Sequence, residues 1–113
     1  MKKFNHVIVR RPCRAMVDGI TSAPELGRPD YELALKEHDA YIEALKQCDV
    51  DVTILEANER YPDSCFVEDP ALITKECAII TNPGAESRNG EKFEIVDAVR
   101  KFFPEDRIEY IQA

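Results

Sequence analysis

DYELALKEHDAYIEALKQCDVDVTILE, residues 30–56, is the stretch that decides the fold class. Tyr31, Ala34, Leu35, His38, Tyr41, Ile42 and Leu45 recur at the i, i+3, i+4, i+7 spacing that gathers side chains on one face of a helix. Asp30 stands where a short acceptor side chain caps a helix start, so the pattern predicts a helix from Tyr31 to about Gln47. The opposite face, Glu32, Lys36, Glu37, Asp39, Glu43 and Lys46, reads as solvated charge. At residue 50 the period changes. Val50, Val52 and Ile54 alternate with Asp51, Thr53 and Leu55, which predicts a strand over residues 50–56. Upstream, residues 4–10 form another β-branched alternation closed by Arg11-Pro12, suited to a strand covered on both faces. Strand, long connection, helix, strand is a β-loop-α-β unit, and the fold class is α/β.

Residues 12–29 carry Pro12, Gly19, Pro24, Gly27 and Pro29 with little periodicity and read as a long irregular loop, a length that usually serves function. Residues 58–64 are a polar loop. Residues 65–67, 71–74 and 77–81 read as extended, with a hairpin turn at Lys75-Glu76. Residues 82–90 are a second polar loop, followed by a helix from about Glu91 to Phe103 with Ile95, Val96, Val99 and Phe102 inward and Pro104 marking its end. Residues 108–111 begin a further strand. The order β-α-β, β-β-α-β matches one incomplete and one nearly complete β-β-α-β module, without a residue-level repeat. The last apolar strand has no hairpin partner after it, and an edge left open in this way suggests an unfinished chain.

A length of 113 residues allows one domain, and 44% hydrophobic with 33% charged residues fits a soluble globular protein rather than a disordered one. No apolar run approaches the roughly 20 residues of a membrane span. Val7-Ile8-Val9 is stopped at once by Arg10 and Arg11, too early for the apolar region of an export signal, so the cytoplasm is the expected compartment. Fifteen Lys and Arg against 22 Asp and Glu leave a net charge of −7. That argues against nucleic-acid or anionic-membrane partners and suits a cationic small molecule. Cys13, Cys48, Cys65 and Cys77 form no C-x-x-C pair, and His6 and His38 are isolated, so no metal and no cofactor are expected and the thiols are expected to be reduced.

Chemistry concentrates in Arg60-Tyr61-Pro62-Asp63-Ser64-Cys65-Phe66-Val67-Glu68-Asp69-Pro70. If this segment is extended, Asp63 and Asp69 project to one side and Glu68 to the other. Paired carboxylates beside an aromatic ring suit a guanidinium, which offers a fixed fork of donors and a stacking face, although composition alone favours a solvated acidic loop. Cys65 has no histidine near it in sequence to activate it and reads as a structural thiol. Arg88, in the loop 83–88, is placed to meet a carboxylate. Asp18-Gly19-Ile20-Thr21 offers exposed main-chain groups to a ligand, with Gly19 permitting unusual backbone angles. The Arg10-Arg11-Pro12-Cys13-Arg14 cluster could hold an anion, but in so acidic a chain it is expected to balance nearby carboxylates.

Val9-Arg10-Arg11-Pro12, Val17-Asp18-Gly19, Pro29-Asp30-Tyr31, Phe66-Val67-Glu68-Asp69 and the run from Asn82-Pro83-Gly84 through Glu86-Ser87-Arg88-Asn89-Gly90-Glu91 occur in this order in the dimethylarginine dimethylaminohydrolases. The chain resembles the N-terminal part of that family over its whole length. The resemblance implies a pentein-type β/α propeller of ββαβ modules, of which residues 1–113 would cover roughly the first two as the N-terminal portion of a single catalytic domain. It implies hydrolysis of methylated arginine to citrulline and a methylamine through a cysteine covalent intermediate. By motif, Asp69 would hold the substrate guanidinium with Asp63 supporting it, and Glu68 would line the same pocket. Arg88 would pair with the substrate α-carboxylate. The main chain at Ile20 would receive the α-amino group beneath a closing loop, a position where leucine is usual, and Phe66 would shape the wall. The family's nucleophilic cysteine and its histidine would lie beyond Ala113, so no catalytic residue is expected among these 113 and the chain alone should be inactive.

Two other readings compete. An arginine deiminase or amidinotransferase relative would use a similar core, and a non-catalytic module would hold a cationic ligand without transforming it. Open sheet edges favour association, so a homo-oligomer is compatible with all three.

Overall fold

The computed structural model describes residues 5–20 and 24–112. The chain divides at Cys65 and Phe66 into two compact units.

In the first unit, β1 (His6–Arg10) pairs in parallel with β2 (Asp51–Leu55), Val9 standing opposite Ile54. Parallel neighbours need a long crossover, supplied here by two short 3₁₀ turns, Arg14–Asp18 and Pro24–Leu26, and by α1 (Tyr31–Gln47). The predicted helix and the observed one have the same bounds. The cap forms as expected: Asp30 Oδ1 accepts from the Leu33 amide at 3.2 Å. Ile42 is buried and Tyr31, Ala34, Leu35, His38 and Leu45 are half-buried, while Tyr41, at the margin of the stripe, is exposed. No glycine follows the helix. Asp49 takes the left-handed turn instead (φ 62°), a conformation that Asp tolerates better than most side chains. Arg11 pairs with Asp39 at 2.8 Å and Arg14 with Glu32 at 3.8 Å, so these two cations balance the charged face of α1, whereas Arg10 donates to the Glu56 carbonyl at 2.8 Å. β1 has only Val9 buried, with its other residues half-buried, so the two-sided coverage expected for it is partial.

In the second unit, β3 (Ala71–Ile73) and β4 (Ala78–Ile80) form an antiparallel hairpin around the expected turn, closed by Thr74 N–H to Cys77 O at 2.9 Å. β5 (Ile108–Tyr110) joins β4 in parallel, giving the sheet order β3-β4-β5. Between β4 and β5 the chain turns through α2 (Glu86–Asn89) and α3 (Glu91–Val99). Ile95, Val96, Ala98 and Val99 of α3 are buried with Ala71, Ala78, Ile80 and Ile108 of the sheet. This is a ββαβ module, and the first unit is the shorter βαβ form.

Three expectations are corrected. Residues 65–67 are not extended: Ser64 N–H bonds Tyr61 O at 3.0 Å and Asp69 N–H bonds Phe66 O at 3.2 Å, so two successive turns replace a strand. Proline at 62 and 70 and the acidic residues between favour such turns over a ladder. The α-helix ends at Val99, not Phe103, because Lys101 and Phe102 bond three residues back rather than four, and Phe102 is exposed. Finally, the polar loop 82–90 contains a helical turn that Gly90, in the right-handed helical region (φ −68°, ψ −16°), joins to α3.

Candidate functional site

The first unit brings Ile20 and Asp63 together. The Ile20 amide donates to Asp63 Oδ2 at 3.0 Å, and a Cβ at Gly19 would run into the same carboxylate. The unusual backbone angles expected at Gly19 are not found, its φ being −67°; glycine is required there by close approach. Glu59 secures the other end of the segment, accepting from the Arg14 amide at 2.9 Å and the Ala15 amide at 3.0 Å. The loop after β1 is thus held at both ends by carboxylates from the loop after β2. Cys13 is fully buried beneath it, its Sγ 3.7 Å from the Tyr61 carbonyl. Burial, then the charge of Glu59, pushes the Cys13 thiol up, away from the thiolate a nucleophile requires.

The second unit brings Phe66, Asp69 and Arg88 together. Arg88 Nη1 donates to Asp69 Oδ2, and Nη2 donates to the Phe66 carbonyl at 3.2 Å. Glu91, which the sequence reading left without a role, grips the same guanidinium: Nε reaches Oε2 and Nη2 reaches Oε1, each at 2.8 Å. The bonds from Glu91 hold Arg88 protonated well above the ordinary guanidinium range, reinforced by Asp69 and outweighing burial, which acts the other way. Side-chain exposure grades outward through the cluster, 4% for Glu91, 14% for Arg88 and 54% for Asp69. A buried carboxylate and a nearly buried cation therefore present an exposed carboxylate. Phe66 offers 48% of its surface beside it in sequence. Glu68 is exposed and forms no hydrogen bond or ion pair with any described residue, so the structure does not join it to Asp69.

The turns at 62–65 and 67–70 also remove the argument that Asp63 and Asp69 share one side of an extended strand. Each is placed instead by its own module. The signal for Glu91 was present in its i, i+3 relation to Arg88, neighbours on a helical surface, but reading residues 82–90 as loop hid it. Among the described residues no group of three or more His, Cys, Asp and Glu is arranged to hold a metal. No helix among them is long and apolar enough to cross a membrane.

An α/β chain of a βαβ and a ββαβ module is part of a pentein fold. The N-terminal domain of ArgZ, an arginine dihydrolase from the ornithine–ammonia cycle in cyanobacteria, superposes over 95% of this chain and 39% of its own with a TM-score of 0.73 at 17% identity, a likeness of fold. A family profile described as N,N dimethylarginine dimethylhydrolase, eukaryotic, matches residues 28–110. The N(G),N(G)-dimethylarginine dimethylaminohydrolase of Pseudomonas aeruginosa is 56% identical over 110 residues, 97% of this chain and 42% of that enzyme. A cysteine-to-serine mutant of the Pseudomonas aeruginosa enzyme, complexed with citrulline, superposes with a TM-score of 0.95 at 55% identity over 99% of this chain and 43% of its own. The chain belongs to the dimethylarginine dimethylaminohydrolase family, and it spans less than half the length of these relatives.

Proposed function

We propose that this chain forms the substrate-recognising, N-terminal part of a single-domain hydrolase that converts methylated arginine, dimethylarginine or monomethylarginine, to citrulline and a methylamine. The observation that carries the reading is the exposed Asp69 carboxylate, backed by Arg88 and Glu91, in a chain of this family. A net anionic cluster with an outward carboxylate is matched to a planar cation able to give two parallel N–H···O bonds.

In this reading, which rests on the family's motif order, Asp69 takes the guanidinium with Asp63 supporting it, Glu68 and Phe66 line the pocket, the main chain at Ile20 receives the α-amino group, and Arg88 meets the α-carboxylate. Binding polarises the guanidinium carbon. A cysteine thiolate then adds to that carbon, an imidazole delivers a proton to the departing methylamine, and water displaces the thiolate to leave citrulline. The proposal assigns the thiolate and imidazole to a longer protein of which this chain is part. Cys13, with its raised thiol, does not suit the role. The cytoplasm, which keeps such a thiol reduced, is the proposed compartment.

The test is a citrulline assay. The 113-residue chain should yield none, while the complete enzyme should show a higher kcat/KM for dimethylarginine than for arginine. Turnover by the isolated chain, or preference for unmethylated arginine, would reject the proposal, the latter in favour of a deiminase.

A further inference from the structure

A carboxylate with 4% of its side chain exposed has to be paired to stay charged, and Glu91 is paired in a particular way. It lies in the first turn of α3, where the helix N-terminus favours negative charge. It takes both Nε and Nη2 of Arg88, one complete edge of the fork. Nη2 also serves the Phe66 carbonyl, so both of its protons are committed within the module. Only Nη1 reaches Asp69, and only at Oδ2. Oδ1 of Asp69 accepts from no described residue. Were Nη2 released, Arg88 would be able to grip both oxygens of Asp69 and fill, with its own guanidinium, the place of an incoming one.

We propose that Glu91 is a positioning residue for the guanidinium site: it holds Arg88 by the Nε/Nη2 edge so that Asp69 keeps an oxygen for the ligand. The role rests on the reading of Asp69 as the guanidinium's partner. Glu91 touches no substrate. It prevents a self-made mimic of the substrate from closing the site.

The experiment uses the complete enzyme carrying this segment, with asymmetric dimethylarginine as the probe and steady-state kinetics as the readout. Glu91→Gln keeps the shape and removes the charge; KM should rise at least about tenfold, the effect of one charge-assisted bond, with kcat changing less. Glu91→Asp, which restores the charge on a shorter stem, should fall between that variant and the parent. A merely structural role would reduce the active fraction, lowering apparent kcat at unchanged KM, and that result overturns the proposal. If Glu91→Gln does not fold, Glu91→Asp decides by the same criterion. Asp69→Asn is measured in parallel. An unchanged KM there rejects the reading of the site itself, and the proposal with it; a raised KM there with no change in the Glu91 variants rejects the positioning role alone.

Discussion

The two modules use acidic residues in opposite ways. In the first, Glu59 and Asp63 accept from main-chain amides at Arg14, Ala15 and Ile20, so the carboxylates hold a loop in shape. In the second, Asp69 and Glu91 meet a guanidinium, so the carboxylates shape a charge. An amide donor is neutral and fixed by the backbone, and a carboxylate that satisfies it becomes part of the fold. An arginine shared between two carboxylates leaves the cluster one negative charge in excess, and that excess is displayed on the exposed member. The acidic groups of the first module thus act on conformation, and those of the second on the charge the module displays.

The comparison breaks most sharply at Asp69. Asp69→Asn should lower kcat/KM for dimethylarginine in the complete enzyme by about a hundredfold, the scale of a lost charge pair, while leaving urea-induced unfolding nearly unchanged. A smaller loss in rate accompanied by lowered stability would make this module's carboxylate a structural one, like those of the first. Glu59→Ala should do the reverse, costing about 1–2 kcal/mol of stability through two orphaned amides at a 3₁₀ turn. Amide hydrogen exchange at Arg14 and Ala15 checks it, since their protection should disappear first.

A smaller effect is expected at Gly19→Ala. The added methyl meets the Asp63 carboxylate, which must swing off the Ile20 amide, at about 1 kcal/mol for the lost bond. KM should rise a few-fold, and Asp63→Asn should show less further loss in the Gly19→Ala background than alone. The smallest is at His38, where burial, then the charge of Arg11, lowers the imidazole pKa, with Asp39 partly opposing them. A depressed histidine is neutral in the folded state, so its contribution is fully present above the unfolded value of about 6.5 and is lost as pH falls through the folded one. His38→Gln should flatten that part of the stability curve, read as Tm from pH 7 downward.

Legibility in the sequence followed the range of the interaction. The helix of residues 31–47 was readable to its ends because period and cap are local, and the hairpin at Lys75-Glu76 was readable because its partners adjoin. The motif order was enough to reach the family. Asp69 and Arg88 were picked out singly, but the turns between Pro62 and Pro70 were misread as extended, since a short apolar run of Cys65, Phe66 and Val67 looks the same in a strand and between turns. Glu91 was hidden because its i, i+3 relation to Arg88 counts only if residues 86–91 are helical, and a polar run containing Pro83, Gly84 and Gly90 looks like loop.

What the sequence by itself determined is therefore the order of elements, the α/β class and the residue types available for a cation. Only the tertiary structure decided how those residues are partnered. Arg88 and Asp69 lie 19 positions apart, and they meet because the β3–β4 hairpin returns the chain beside the turn that precedes it. Which oxygen each donor takes depends on where Gly90 lets α2 run into α3, a matter of a few ångströms that hydrophobic period and local propensity do not encode.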